Sequence, residues 1–287
     1  MSNELPTVAL ARLLEGARYE VMPTDSIVAE VSRHVPASTT VTVTAAPTKG
    51  LDATLDVATE LAAAGYRVVP HLAARMVAGR DELTAVVQRL TAAGITGVFV
   101  PGGDADPPAG EYTSALDLLV DLDAMGHPFT HVGITGYPES HPSIDDDVTI
   151  QSMWDKRRYA THVVSNMTFD AEHVGTWCER LRRRRVTLPL LIGVPGPVER
   201  TKLLGMAGKI GVGESLRFLR KQRSVFARIA APGFSTDRFV SRIAALSANP
   251  TLAIEGLHVF TFNQVEVVEA WRQRMLADAV AARTRPR

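Results

Sequence analysis

The sequence has one cysteine, Cys178, in 287 residues. No intrachain disulfide can form, and a metal site built from cysteines is excluded. This usage fits a reducing cytoplasm. Neither sign of charge is in excess, with Lys+Arg and Asp+Glu at 31 each. Nothing in that balance calls for a nucleic acid or an anionic membrane as partner. No apolar run reaches the roughly 20 residues of a membrane span. Met1 to Pro6 lack the basic and apolar parts of a secretory signal. No Gly/Ser-rich or Pro-rich linker divides the chain, so one domain is expected over residues 1–287. No Gly-rich dinucleotide fingerprint is present. Gly208 to Gly213 lacks the spacing of a phosphate loop, and Asp145 to Asp147 lacks the companions of a metal loop. No metal is expected.

What is present is alternation. A composition 46% hydrophobic supports a sizeable core. Short runs rich in β-branched residues read as strands at 19–23, 40–44, 67–71, 97–101, 131–135, 161–166, 188–192 and 256–263. Between them lie helical stripes. Leu51, Leu55, Ala58, Leu61 and Ala62 mark one over 52–64, and Leu83, Val86, Val87 and Leu90 another over 81–93. Thr24 or Asp25 is the expected cap of the helix carrying Ile27 and Val31, and Asp145 to Asp147 the expected start of the helix carrying Ile150 and Met153. Further helices are read at 114–125, 171–184, 198–207, 213–221, 236–248 and 265–282. Cys178 falls on a stripe and reads as core, while Arg182 to Arg185 read as a solvated helix end. Eight strands alternating with helices imply parallel pairing with both faces covered. The expected fold is α/β, a (β/α)8 barrel with extra helices between strands seven and eight. An open doubly wound sheet is the alternative.

Sites in such a barrel lie at the C-terminal ends of its strands. Polar groups fall there at Glu20, Thr44, Lys49, His71, Arg75, Asp104, Asp106, Tyr137, Glu139, His141, Ser165, Asn166, Asp170 and Asn263. Glu20 stands between apolar Tyr19 and Val21. Pointing inward it would be partly desolvated, which favours the protonated form and suits a general acid. Asp104 follows two glycines, so its carboxylate can approach a flat ligand. Asn166 offers both an amide donor and an acceptor to the edge of a heterocycle. His71 follows a proline at a strand end. Each has an ordinary structural alternative: an ion-paired glutamate, a turn aspartate, a hydrogen-bonded histidine, a capping asparagine.

In order along the chain, these strand ends resemble those of the methylenetetrahydrofolate reductase family. The segments are Tyr19-Glu-Val-Met-Pro, Pro70-His-Leu, Gly103-Asp104, Thr135-Gly-Tyr-Pro-Glu-Ser-His-Pro, Ser165-Asn166 before Phe169-Asp170, and Gly256-Leu-His-Val-Phe-Thr-Phe-Asn. The fifth strand's Gly-Tyr-Pro-Glu-Xaa-His is the most specific of them. The resemblance implies reduction of 5,10-methylenetetrahydrofolate to 5-methyltetrahydrofolate, ordinarily by way of FAD and a nicotinamide cofactor. It places Glu20 as the acid that helps open the folate to an iminium ion, with Asp104 also in the catalytic set. Asp104, Asn166 and Tyr137 would hold the substrate. Thr44, His71, Thr135, Tyr137, His141 and Lys156 would face the cofactor. The chain also departs from the family pattern. Val100-Pro-Gly-Gly-Asp104 lacks the family's arginine, Asn166 replaces a glutamine, and Lys156-Arg-Arg-Tyr-Ala160 puts bulk where the family has glycine. These departures resemble the family's flavin-independent branch, in which NADH or NADPH would reduce the folate directly. A flavoenzyme, a folate-binding barrel without catalysis and a barrel lyase unrelated to folate stay open as alternatives.

Overall fold

The computed structural model describes residues 6–141, 143–197 and 234–284. Its strands are β1 (Arg18–Val21), β2 (Thr40–Val43), β3 (Arg67–Pro70), β4 (Gly97–Val100), β5 (His131–Gly136), β6 (His162–Met167), β7 (Leu190–Pro195) and β8 (Ile254–Phe260). They form one sheet in the order β3-β2-β1-β8-β7-β6-β5-β4. Every ladder in it is parallel. First and last strands pair side by side, Arg18 against His258 and Glu20 against Phe260. The outer two, β3 and β4, meet through a single bridge between His71 and Phe99, where Leu72 N–H donates to Phe99 O at 2.8 Å. The sheet thus curls into the expected (β/α)8 barrel, laddered on seven seams and bridged on the eighth.

The described helices are α1 (Pro6–Glu15), α2 (Ile27–His34), α3 (Gly50–Ala63), α4 (Arg80–Ala92), α5 (Ala115–Ala124), α6 (Asp146–Lys156), α7 (Ala171–Arg183), α8 (Thr236–Ser247) and α9 (Val265–Thr284). Helix α1 goes beyond the sequence reading and packs on α8 and α9. Helix α8 is one of the expected extra helices, whereas the helices read at 198–207 and 213–221 lie outside the described residues. Asp145 caps α6 as expected, its carboxylate accepting from Asp147 N–H at 2.8 Å. The cap of α2 is Ser26, not Thr24 or Asp25, and it makes no side-chain bond. Arg182 is likewise not solvated. It is half-buried and donates to the carbonyls of Val186, Leu188 and Leu252, while Arg183 to Arg185 are exposed. No described helix is long and apolar enough to cross a membrane.

Two cores follow from the period-2 alternation of the strands. The outer core lies between sheet and helices and contains Leu13, Ile27, Leu61, Leu83, Leu122, Ile134, Cys178 and Val259, all fully buried. Burying each large side chain contributes about 1.5–3 kcal/mol. The inner core is a plug of Val69, Phe99, Val164 and Leu191, one each from β3, β4, β6 and β7. Gly256 makes room for it, since a Cβ there would stand 2.6 Å from Leu191 Cδ2.

Strand β1 separates the two cores cleanly. Tyr19 and Val21 are buried towards the helices. Behind the strand, Tyr19 donates to Glu269 Oε2 on α9 at 2.7 Å. Arg272 grips the same carboxylate through Nε at 2.8 Å and Nη2 at 2.7 Å. Alternation then sends Arg18 and Glu20 into the barrel.

Candidate active site

Inside the barrel, above the apolar plug, Glu20 meets two histidines. Its Oε2 lies 2.8 Å from His258 Nε2 and 3.9 Å from His71 Nε2. His258 is 2% exposed, and its Nδ1 is buried without a hydrogen-bond partner. His71 Nε2 is likewise buried and makes no hydrogen bond. Burial pushes the His71 imidazole down to about 4, against the opposing pull of Glu20. His71 is therefore neutral near pH 7, and its contact with Glu20 is not an ion pair. Its ring sits edge-on to Phe99, 4.7 Å between centroids. The backbone of Glu20 is fixed as well. Thr261, just past β8, donates its hydroxyl to Glu20 O at 2.6 Å.

His258 is the residue beside Glu20 that the candidate set lacked. The signal was present: in Gly256-Leu-His-Val-Phe the alternation puts Gly256, His258 and Phe260 on one face. Only closure of the barrel brings that face against β1.

Several strand-end polar groups prove to be structural. The Asn263 carboxamide accepts from Met22 N–H at 2.8 Å and donates to Met22 O at 3.0 Å, stitching the end of β8 to the end of β1. Glu139 accepts from the N–H groups of Phe169 at 2.6 Å and Asp170 at 2.8 Å, fastening the β5 loop to the start of α7. Ser165 accepts from Gly193 N–H at 2.8 Å. Asp170 caps α7. Arg75 donates to Ala105 O at 2.7 Å and to Asp106 at 3.3 Å. Lys49 donates to Pro23 O at 2.8 Å.

Of the remaining rim candidates, Tyr137 is brought beside His141, Asp104 and Thr135. Tyr137 and His141 stack edge-on, 4.8 Å between centroids. Burial raises the Tyr137 phenol, and the nearby Asp104 carboxylate raises it further. Asp104 and Asn166 are exposed at the ends of β4 and β6. Thr44 and Thr135 are half-buried at the ends of β2 and β5.

Lys156 is not brought to this rim. It is the last residue of α6, which runs back towards the start of β6, and it lies on the buried face with Thr149, Ile150 and Met153. Burial lowers its amine from 10.5 to about 8, against the pull of Asp155. The unfolded chain keeps that proton up to about pH 10.5, the folded chain only to about pH 8. The cost of the buried ammonium is thus fully present below pH 8 and fades as pH rises towards 10.5. Lys156→Met is expected to raise the melting temperature at pH 7 and to lose that gain near pH 10.5. An equal gain at both pH values would assign the effect to packing alone.

Glu20, His71 and His258 place their donor atoms within 4.8 Å of one another, close enough to ask whether they hold a cation. A zinc-like ion about 2.0–2.2 Å from each donor needs them within roughly 3.5 Å of each other. The Glu20–His71 edge is 3.9 Å, and the short edge is a hydrogen bond. The pyrophosphate of a flavin or nicotinamide dinucleotide is held by charge-assisted side-chain donors or by backbone N–H groups at helix N-termini. Among the described rim residues, the cations Lys49 and Arg75 are spent on the protein's own carbonyls and carboxylate.

Fold and site together define a (β/α)8 barrel protein carrying an acid–histidine pair inside its mouth. A model of the methylenetetrahydrofolate reductase family matches residues 23–274. The chain belongs to the methylenetetrahydrofolate reductase family. The match begins just past Glu20, so the place of that residue rests on geometry. Over 101 residues the chain is 25% identical to methylenetetrahydrofolate reductase 2 of Saccharomyces cerevisiae. That stretch covers 33% of this chain and 17% of the yeast protein. Among solved structures it is similar to 2,3-dimethylmalate lyase, a PEP mutase/isocitrate lyase superfamily member. There the identity is 12% and the TM-score 0.51, over 97% of this chain and 88% of that one. This likeness shows the fold alone.

Proposed function

We propose that this chain reduces 5,10-methylenetetrahydrofolate to 5-methyltetrahydrofolate, taking hydride directly from NADH or NADPH. The observation that carries the reading is the inward Glu20, held by His258 at 2.8 Å above an apolar plug. An acid so placed can protonate the bridging amine of the folate as its ring opens. The methylene carbon becomes an iminium ion, and the nicotinamide, stacked on the pterin, delivers hydride to it. One proton and one hydride enter, and methyltetrahydrofolate and the oxidised nicotinamide leave. Asp104 and Asn166 hold the pterin edge from the ends of β4 and β6, with Tyr137 beside them. His71, Thr44, Thr135 and His141 line the nicotinamide side.

Direct transfer is supported by Lys49 and Arg75, the rim cations among the described residues, donating to the protein's own carbonyls. A resident flavin must be gripped tightly, whereas a nicotinamide that departs each turnover needs only a weak hold. The test is an absorption spectrum of the purified protein together with an NADH oxidation assay on methylenetetrahydrofolate. A colourless protein that turns over without added FAD is expected. A flavin spectrum, or activity only after FAD is added, would return the flavoenzyme reading. No turnover under either condition would leave a folate-binding barrel.

A further inference from the structure

The two oxygens of Glu20 are not equivalent. Oε2 faces His258 Nε2 at 2.8 Å, while Oε1 makes no hydrogen bond among the described residues. The His258 ring has only one place for its proton. On Nδ1, a proton would be a buried donor with no acceptor, which costs about 1–3 kcal/mol. On Nε2 it meets the carboxylate. The ring is also held in place, with Phe260 edge-on at 5.0 Å between centroids.

We propose that His258 is a positioning residue: a fixed Nε2–H donor that locks Glu20 Oε2 and leaves Oε1 to carry the transferable proton towards the substrate. The inference rests on Glu20 being the acid. Donation to the carboxylate favours the ionised form that remains after the proton has left. The groups that face His258 do not take over this task. Glu20 and Arg18 come from β1, His71 from the residue after β3 and His162 from β6, with the exposed His131 of β5 acting on His162. Burial holds His71 at about 4 and His162 at about 3, the latter helped by Arg18, so both are neutral at working pH. Arg18 is occupied by His162, 3.1 Å away.

Three variants separate positioning from bulk. His258→Leu removes the donor. His258→Asn stays polar but falls short of Oε2. His258→Gln keeps an N–H within reach. The Leu and Asn variants are expected to lose about ten- to hundredfold in kcat, the size of one hydrogen bond to a charged group. The KM for folate stays unchanged, and the alkaline limb of the pH profile moves to higher pH. The Gln variant keeps the limb where it is and recovers most of the rate. Equal losses in all three variants, or limbs that coincide with the parent protein, would overturn the assignment. Infrared difference titration of the Glu20 carboxyl, identified by its loss in Glu20→Gln, reads the same pairing without substrate. Its midpoint should rise in His258→Leu and hold in His258→Gln. If the parent protein does not reduce folate, the proposed function fails, and the carboxyl titration still decides the role of His258.

Discussion

Glu20→Gln should leave a protein that folds and binds folate, yet turns it over at least a hundredfold more slowly. A positioned general acid contributes about 10²- to 10⁴-fold, and glutamine has no acidic proton to give. The amide is nearly isosteric and still offers an oxygen to His258 Nε2, so the clasp now measured at 2.8 Å can persist. The backbone anchor from Thr261 to Glu20 O is untouched by the exchange. The measurement is kcat by NADH oxidation beside folate affinity by calorimetry. A variant within about threefold of the parent kcat would remove Glu20 from the chemistry. A variant that loses folate binding instead would make it a substrate clamp.

The second large effect concerns stability. Glu269→Ala should cost about 3–5 kcal/mol, the usual result of removing one partner from a buried ion pair. Arg272 is 8% exposed, and among the described residues the Glu269 carboxylate is the only anion it pairs with. The loss also strips Tyr19 of its 2.7 Å acceptor and Gln273 of one at 2.7 Å. Replacing the pair together, Glu269→Leu with Arg272→Met, should recover most of the deficit, because no charge is then left buried. Urea unfolding of the single and double variants is the check. A single variant within 1 kcal/mol of the parent, by the ordinary scale of exposed pairs, would show that water reaches Arg272. Tyr19 and Glu20 are neighbours on one strand, so the single variant should also lose activity before it loses its fold.

The barrel was legible because its information is local. Val-Phe-Val in β4 or Leu-Leu-Ile in β7 declares a strand buried on both faces. The stripes of α3 and α4 declare helices with a single apolar side. Partners far apart in sequence were not legible. Helix α1 carries Leu13 and Leu14, but what they bury against lies on α8, α9 and β8 at the other end of the chain. His258 and Glu20 are 238 positions apart. Residue type also does not say where a hydrogen bond goes. Asn263, Glu139 and Arg75 look like ligand-binding groups in the sequence, and each is consumed by main-chain atoms nearby. Lys156 carries the same ambiguity, settled only by the direction in which α6 runs.

The bridge at His71 has a consequence for how the barrel breathes. Seven of its seams must break a ladder to part, whereas the eighth has His71 against Phe99 and a few main-chain bonds beyond it, such as Leu72 to Phe99 and Ala74 to Pro101. Local opening follows the least protected backbone. Deuterium should therefore enter the amides of Leu72 and Ala74 before those of the β1–β2 ladder.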